Sequence, residues 1–154
     1  MVAYLTRTVR FSAAHRYHRP EWSEERNRAT FGACANPHGH GHNYLLEVMV
    51  AGQPDPETGF CVDLGALDAL LAEEVVQPLD HRHLNHDVPE FGEGRLVPTT
   101  ENLVRYLWQR LEPRVPAPAR LVRLRLREDA DLWVDFYGGG ATEPGGAPGG
   151  TWSA

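Results

Sequence analysis

Apolar and polar residues alternate at four places along the 154-residue chain, and a period of two predicts a strand at each. Residues 2–14 are the first: Val9 and Phe11 alternate with Thr8, Arg10 and Ser12, a composition that suits a pleated, half-buried surface. Residues 42–51, carrying Leu45, Leu46, Val48 and Val50, are the second. Residues 119–128 alternate strictly, with Val122, Leu124 and Leu126 on one side and Arg123, Arg125 and Arg127 on the other. Residues 131–137 close the set, Leu132, Val134 and Phe136 alternating with Trp133, Asp135 and Tyr137. A turn at Gly52-Gln53-Pro54-Asp55-Pro56 leads into a short extended piece through Phe60-Cys61-Val62.

Two stretches follow the helical period instead. Asp63 is a ready N-cap for residues 64–77, where Leu64, Leu67, Leu70, Leu71 and Val75 share a face and Pro78 stops the helix. Thr99 or Thr100 can cap a second helix over residues 101–112, with Leu103, Leu107 and Leu111 as its stripe, Val104 and Trp108 beside them, and Pro113 and Pro116 beyond its end. Residues 16–39 and 79–98 show no periodicity, and long irregular connections are often functional. The order ββααββ predicts an α+β domain over residues 1–137, a four-stranded antiparallel sheet with two helices on one face. Its two sheet edges invite pairing with another chain. The Gly- and Pro-rich residues 138–154 lack the apolar surface to fold and are expected to be a disordered tail.

Composition narrows the class. Apolar content of 42% and charged content of 23% are ordinary for a globular chain. A net charge of -6 argues against a general nucleic-acid binder, though not against a small anionic substrate met by local arginines. Two cysteines do not make a disulfide framework. Residues 1–7 contain no apolar signal core and no run reaches membrane-spanning length, so a reducing cytoplasm and no membrane partner are expected.

The chemistry gathers at Cys34-Ala35-Asn36-Pro37-His38-Gly39-His40-Gly41-His42-Asn43-Tyr44. His40 and His42 stand two apart where a loop enters a strand, so their rings point to the same face about 6.5–7 Å apart. His15 closes the first strand and offers a third imidazole. Three His ligands with an open position describe a catalytic zinc, Zn2+ suiting neutral imidazoles better than calcium or magnesium. Cys34 reads either as a small buried hydrophobe, as a thiolate of lowered pKa near a cation, or as a fourth ligand that would close the site. Asp80-His81 pairs a carboxylate with an imidazole whose tautomer it can set. Glu128 falls on the apolar side of its strand, an odd place for a carboxylate unless something binds it.

Together, Phe11-Ser12-Ala13-Ala14-His15, Phe31-Gly32-Ala33-Cys34, Asn36 through Tyr44, Pro78-Leu79-Asp80-His81, Thr99-Thr100-Glu101-Asn102 and Glu128 resemble the 6-pyruvoyltetrahydropterin synthase family, in its order and over residues 9–137. The resemblance implies the tunnelling fold (T-fold), with three subunits joining sheets edge to edge, two trimers stacking into a homohexamer, and active sites at subunit interfaces. It implies elimination of triphosphate from 7,8-dihydroneopterin triphosphate, a carbon–oxygen lyase reaction. His15, His40 and His42 then correspond to the zinc ligands, Cys34 to the general base, Asp80 and His81 to a proton-relaying pair, and Glu128 to the pterin anchor, with Thr99, Thr100 and Glu101 lining the pterin pocket. Arg16, Arg19, Arg26 and Arg28 are candidates for the phosphates. The related 6-carboxytetrahydropterin synthases of queuosine biosynthesis share fold, zinc triad and substrate but also release acetaldehyde. Their cysteine usually stands closer to the His-Gly-His pair than Cys34 does here. His38 departs from the pyruvoyl pattern, where Asn is more usual. A non-catalytic, zinc-containing pterin-binding protein is the reading from another class.

Overall fold

The computed structural model describes residues 1–139. The expected disordered tail lies outside the described residues from 140 onward. Strand β1 runs Ala3–His15 and pairs antiparallel with β2, His40–Gly52, in an unbroken register from Ala3 opposite Gly52 to His15 opposite His40. Between them, helix α1 (Glu24–Phe31) occupies part of the expected irregular connection. It is polar almost all round, so no stripe announced it. Ser23 caps it by accepting from Arg26 N, and Glu24 and Glu25 sit in its first turn, where the helix dipole favours them.

Helix α2 (Leu64–Leu71) starts where expected, with Asp63 accepting from Ala66 N. The chain does not stop at Pro78. It continues through a π-helical turn at Ala72–Val76 into α3 (Gln77–Leu79). A proline clashes with the carbonyl four residues back in a regular helix. The wider π turn, with Gln77 N bonded to Ala72 O, gives room for Pro78 at the next position. Leu67, Leu70, Leu71 and Val75 are buried as expected, while Leu64 stays 40% exposed at the first helical position.

A two-residue strand β3 (Arg82–His83) pairs parallel with Ala13 and Ala14 of β1, followed by α4 (Leu84–Asp87). Helix α5 (Thr100–Leu111) buries Leu103, Val104, Leu107, Trp108 and Leu111. Strands β4 (Arg120–Arg127) and β5 (Trp133–Phe136) complete a five-stranded mixed sheet, ordered β3-β1-β2-β4-β5. The expected four antiparallel strands are all present; the correction is the fifth strand, parallel and too short for alternation to reveal. The segment Phe60-Cys61-Val62 is not a strand.

The core lies between one sheet face and the helices. Leu46, Val48 and Val50 of β2 and Leu124 and Leu126 of β4 meet Leu67, Leu103, Leu107 and Leu111, all fully buried. A bulge at Met49/Val50 pairs Val50 with Leu121 and skips Val122. Leu121 therefore joins the core cluster in the place expected for Val122. On the opposite face the β4 arginines form a ladder rather than a solvated row. Arg125 holds Asp135 through two bonds of 2.7 Å, Arg127 and Arg123 both reach Glu47, and Trp133 lies under the Arg127 guanidinium at 4.5 Å.

Candidate active site

The register of β1 and β2 builds the centre of the site. It sets His15 directly opposite His40 and places Ala13 opposite His42, so all three imidazoles project from the helix-covered face at one end of the sheet. Their ring centroids are 4.9 Å apart in all three pairings. His15 is fully buried, and its Nε2 lies 3.1 Å from His40 Nε2. Burial, reinforced by His42, His40 and His83, pushes its pKa down from 6.5 to about 3, so its ring is neutral at physiological pH.

Tyr44 continues the alternation two residues past His42. It stacks on Phe11 at 4.9 Å, and its hydroxyl lies 2.9 Å from His15 Nδ1. With the proton on Nδ1, the ring donates to Tyr44 Oη and turns the Nε2 lone pair toward His40. Metal-bound histidines are oriented in this way by a partner on the second nitrogen.

The donor set fits a zinc ion. Zinc–nitrogen bonds of about 2.0–2.1 Å in tetrahedral array put two ligand nitrogens roughly 3.3 Å apart, close to the 3.1 Å between His15 and His40. His42 Nε2 is buried without a hydrogen-bond partner, although Glu128 Oε1 is 3.3 Å away. Two metal-capable clusters share His15: one with Cys34 and His40, the other with His42 and Glu128. A thiol thus flanks the triad on one side and a carboxylate on the other.

Cys34 sits on the 3-10 turn Gly32–Ala35 with Sγ 3.6 Å from His40 Nε2. Burial, and after it the Glu128 charge, raises its pKa. Of its three readings, the lowered thiol requires a nearby cation to oppose these two effects. Glu128 is 7% exposed, and its Oε2 accepts from Thr100 Oγ1 at 2.5 Å and from Tyr17 Oη at 3.4 Å. The two threonines divide their roles. Thr99 caps α5 by accepting from Asn102 N at 3.3 Å, while Thr100 turns to Glu128. Glu101, in the first turn of α5, is exposed.

Asp80 and His81 do form a pair. Asp80 Oδ2 is 2.9 Å from His81 Nδ1, and its Oδ1 accepts from Ser12 N at 2.8 Å. The Ser12 amide first, then His81, holds the Asp80 pKa below the usual carboxylate range. His81 N donates to Ser12 O at 2.6 Å, and the residue has φ 56°, a left-handed backbone unusual outside glycine. Its imidazole is exposed and lines one shallow depression with His42, Ser12 and Asn43. Among the described residues no hydrogen bond joins it to Cys34.

Tyr17 and Tyr44 were not singled out from sequence. Tyr44 was findable, since the strand period carries it to the ligand face. The Tyr17 ring lies against His15, tilted by 38° with centroids 4.5 Å apart, but the residue is beyond the end of β1, where no period applies.

The family model for 6-pyruvoyl tetrahydropterin synthase matches residues 4–139. The chain is 44% identical to the Homo sapiens 6-pyruvoyl tetrahydrobiopterin synthase over 136 residues, covering 88% of this chain and 92% of that protein. It is 45% identical to the Poecilia reticulata enzyme of the same name, over 75% of this chain and 78% of the relative. The solved Caenorhabditis elegans 6-pyruvoyl tetrahydropterin synthase superimposes with a TM-score of 0.83 at 33% identity, covering 90% of this chain and 97% of that one. With His15 shared by two metal-capable clusters, one containing Cys34 and His40 and the other His42 and Glu128, and with similarity over nearly all the described residues, the chain belongs to the 6-pyruvoyl tetrahydropterin synthase family.

Proposed function

We propose that this protein is a zinc-dependent 6-pyruvoyltetrahydropterin synthase that converts 7,8-dihydroneopterin triphosphate to 6-pyruvoyltetrahydropterin with loss of triphosphate. The observation that carries the reading is the placement of the imidazole triad between Cys34 on one side and Glu128 on the other.

His15, His40 and His42 would hold the zinc. When bound it would act as a Lewis acid on the substrate's side-chain hydroxyls. The chain's own groups do the rest. Glu128 offers its carboxylate to the amino-pyrimidine edge of the pterin. Thr100 fixes that carboxylate from behind, leaving Oε1 directed into the site. An oriented, charged acceptor of this kind suits an N–H group on the edge of a flat ring. Cys34 Sγ takes the carbon-bound proton as a thiolate, and the positive charge of a bound dication opposes the burial and carboxylate effects that raise its pKa. Ionised Asp80 holds His81 so that its far nitrogen can relay the proton.

Supporting assembly is the long open edge of β1. Strand β3 covers only Ala13 and Ala14, leaving most of the 13-residue β1 without a partner on that side among the described residues. Strand β5 is the other edge. Edge-to-edge joining of three chains would use both, and a homohexamer of two such trimers would bring the exposed His81 of one chain toward the site of another.

Product analysis tests the reading. Zinc-loaded protein incubated with 7,8-dihydroneopterin triphosphate should yield the pyruvoyl product and triphosphate without acetaldehyde. Carboxy product with acetaldehyde would reassign the chemistry, and absence of turnover with zinc bound would reduce the protein to a pterin binder.

A further inference from the structure

The end of the sheet remote from the imidazoles carries a concavity of another kind. The β1–β2 register runs from His15 opposite His40 to Ala3 opposite Gly52, roughly 40 Å of strand. Just past Gly52 a groove of about 660 Å3 opens, walled by Pro54, Pro56, Phe60, Val62, Leu64 and Pro118. Phe60 is 65% exposed and Leu64 is 40% exposed. The loop holds this apolar wall in place. Asp55 N donates to Phe60 O at 3.0 Å, Gly59 N donates to Asp55 O at 2.8 Å, and Asp55 Oδ1 accepts from Thr58 N at 2.8 Å.

The C-terminal part of the chain heads for this groove. Strand β5 is antiparallel to β4, with Trp133 opposite Arg127 and Phe136 opposite Leu124, so it travels toward the start of β4. There Arg120 pairs with Ala51, the neighbour of Gly52, and Pro118 belongs to the groove wall. Strand β5 lies two strand spacings from β2, about 10 Å. Gly138 lies so close against Trp108 that a Cβ there would meet its Cζ2 at 2.5 Å. The family match ends at residue 139. Residues 140–154 follow, and Trp152 is their one large apolar side chain.

We propose that residues 140–154 dock on the groove of their own chain, with the Trp152 indole seated against Phe60 and the prolines. Trp152 stands thirteen positions beyond Gly139, and a Gly-rich segment of that length reaches roughly 20 Å on average. Tethering at that range gives an effective concentration on the order of millimolar, so a contact too weak to persist between separate molecules stays closed. Aromatic rings packed on proline are the contact by which aromatic-lined grooves bind Pro-rich segments; here the groove brings the prolines and the tethered segment brings the ring. The indole N–H needs an acceptor once covered, and the Asp55 and Asp63 carboxylates border the groove. Docking would cover Phe60 and Leu64 against association with other chains. It would leave the imidazoles untouched at the far end of β1 and β2.

Fluorine NMR of the full chain labelled with fluorotryptophan tests the docking. The four tryptophans give four resonances, and the one lost in Trp152→Phe identifies the Trp152 signal. In the wild type this signal should be displaced from its position in a free peptide of residues 140–154. Phe60→Ser and Leu64→Ser should each return it toward the peptide value. Both side chains are exposed, so the Trp22, Trp108 and Trp133 signals should stay in place and report that the fold is kept. A wild-type Trp152 signal at the peptide position overturns the proposal and leaves the groove to some other partner. A displaced signal that ignores both substitutions overturns it too, as does one that reverts on dilution, which would put the segment on a second copy.

Discussion

Tyr44 does two jobs that a single oxygen atom separates. Its ring packs on Phe11 in the core, and its hydroxyl orients His15. Tyr44→Phe should keep the fold and weaken zinc binding about 10–100-fold, as loss of a supporting partner to a ligand does; competition with a chelator measures it. Cys34→Ala should abolish turnover with zinc retained. Zinc lost from that variant would make Cys34 a ligand and remove its role as base. His15 also predicts how the metal-free protein responds to acid. Its folded pKa of about 3 lies below the unfolded 6.5, so below pH 6.5 the unfolded chain gains a proton that the folded chain refuses. Stability should fall as pH drops from 6.5 toward 3, and above 6.5 His15 contributes nothing. Urea midpoints of metal-free wild type and His15→Gln should converge as the pH is lowered through that window. At this scale the sequence was most legible where a period applied. His15, His40 and His42 follow from strand alternation, and Glu128 from its misplacement on an apolar side. Tyr17 and His83 come from irregular segments, where spacing says nothing about direction.

Among the elements, the apolar stripes of α2 and α5 and the alternation of β1, β2 and β4 were readable because each buries one face. What escaped was not built on that pattern. Helix α1 has no apolar face, β3 is two residues long, and the π turn before Pro78 is a backbone adjustment with no residue signature of its own. Adjacent residues at the start of α5 make a test of capping against site function. Thr99→Ala should cost roughly 1 kcal/mol of stability, the usual loss of an N-cap, and leave pterin affinity intact. Thr100→Val should leave the helix start in place and weaken pterin binding by freeing Glu128. Thermal melts and pterin titrations on the two variants separate the effects. Deeper in the same helix, Leu107→Ala should destabilise by about 2–5 kcal/mol, since Leu107 is fully buried between helix and sheet.

For the whole molecule, the β1 edge left uncovered among the described residues and the exposed His81 imidazole both point outward from one chain. Light scattering on the purified protein should give six times the 17.2 kDa chain mass. A monomer with full activity would place every reacting group within one chain and remove the need for edge pairing. The unbroken pairing of β1 with β2 has a consequence for how a preparation can be judged. Residues alternate between faces, so a slip of one position turns every side chain of a strand to the opposite side. A slipped β2 would carry His40 and His42 into solvent in the same movement that expels Tyr44, Leu46 and Val48 from the core. A chain slipped by one position cannot retain both imidazoles beside His15. On the proposed zinc reading, metal bound per chain should fall with the share of chains slipped in this way, and a refolded sample could be graded by metal content before any substrate is added.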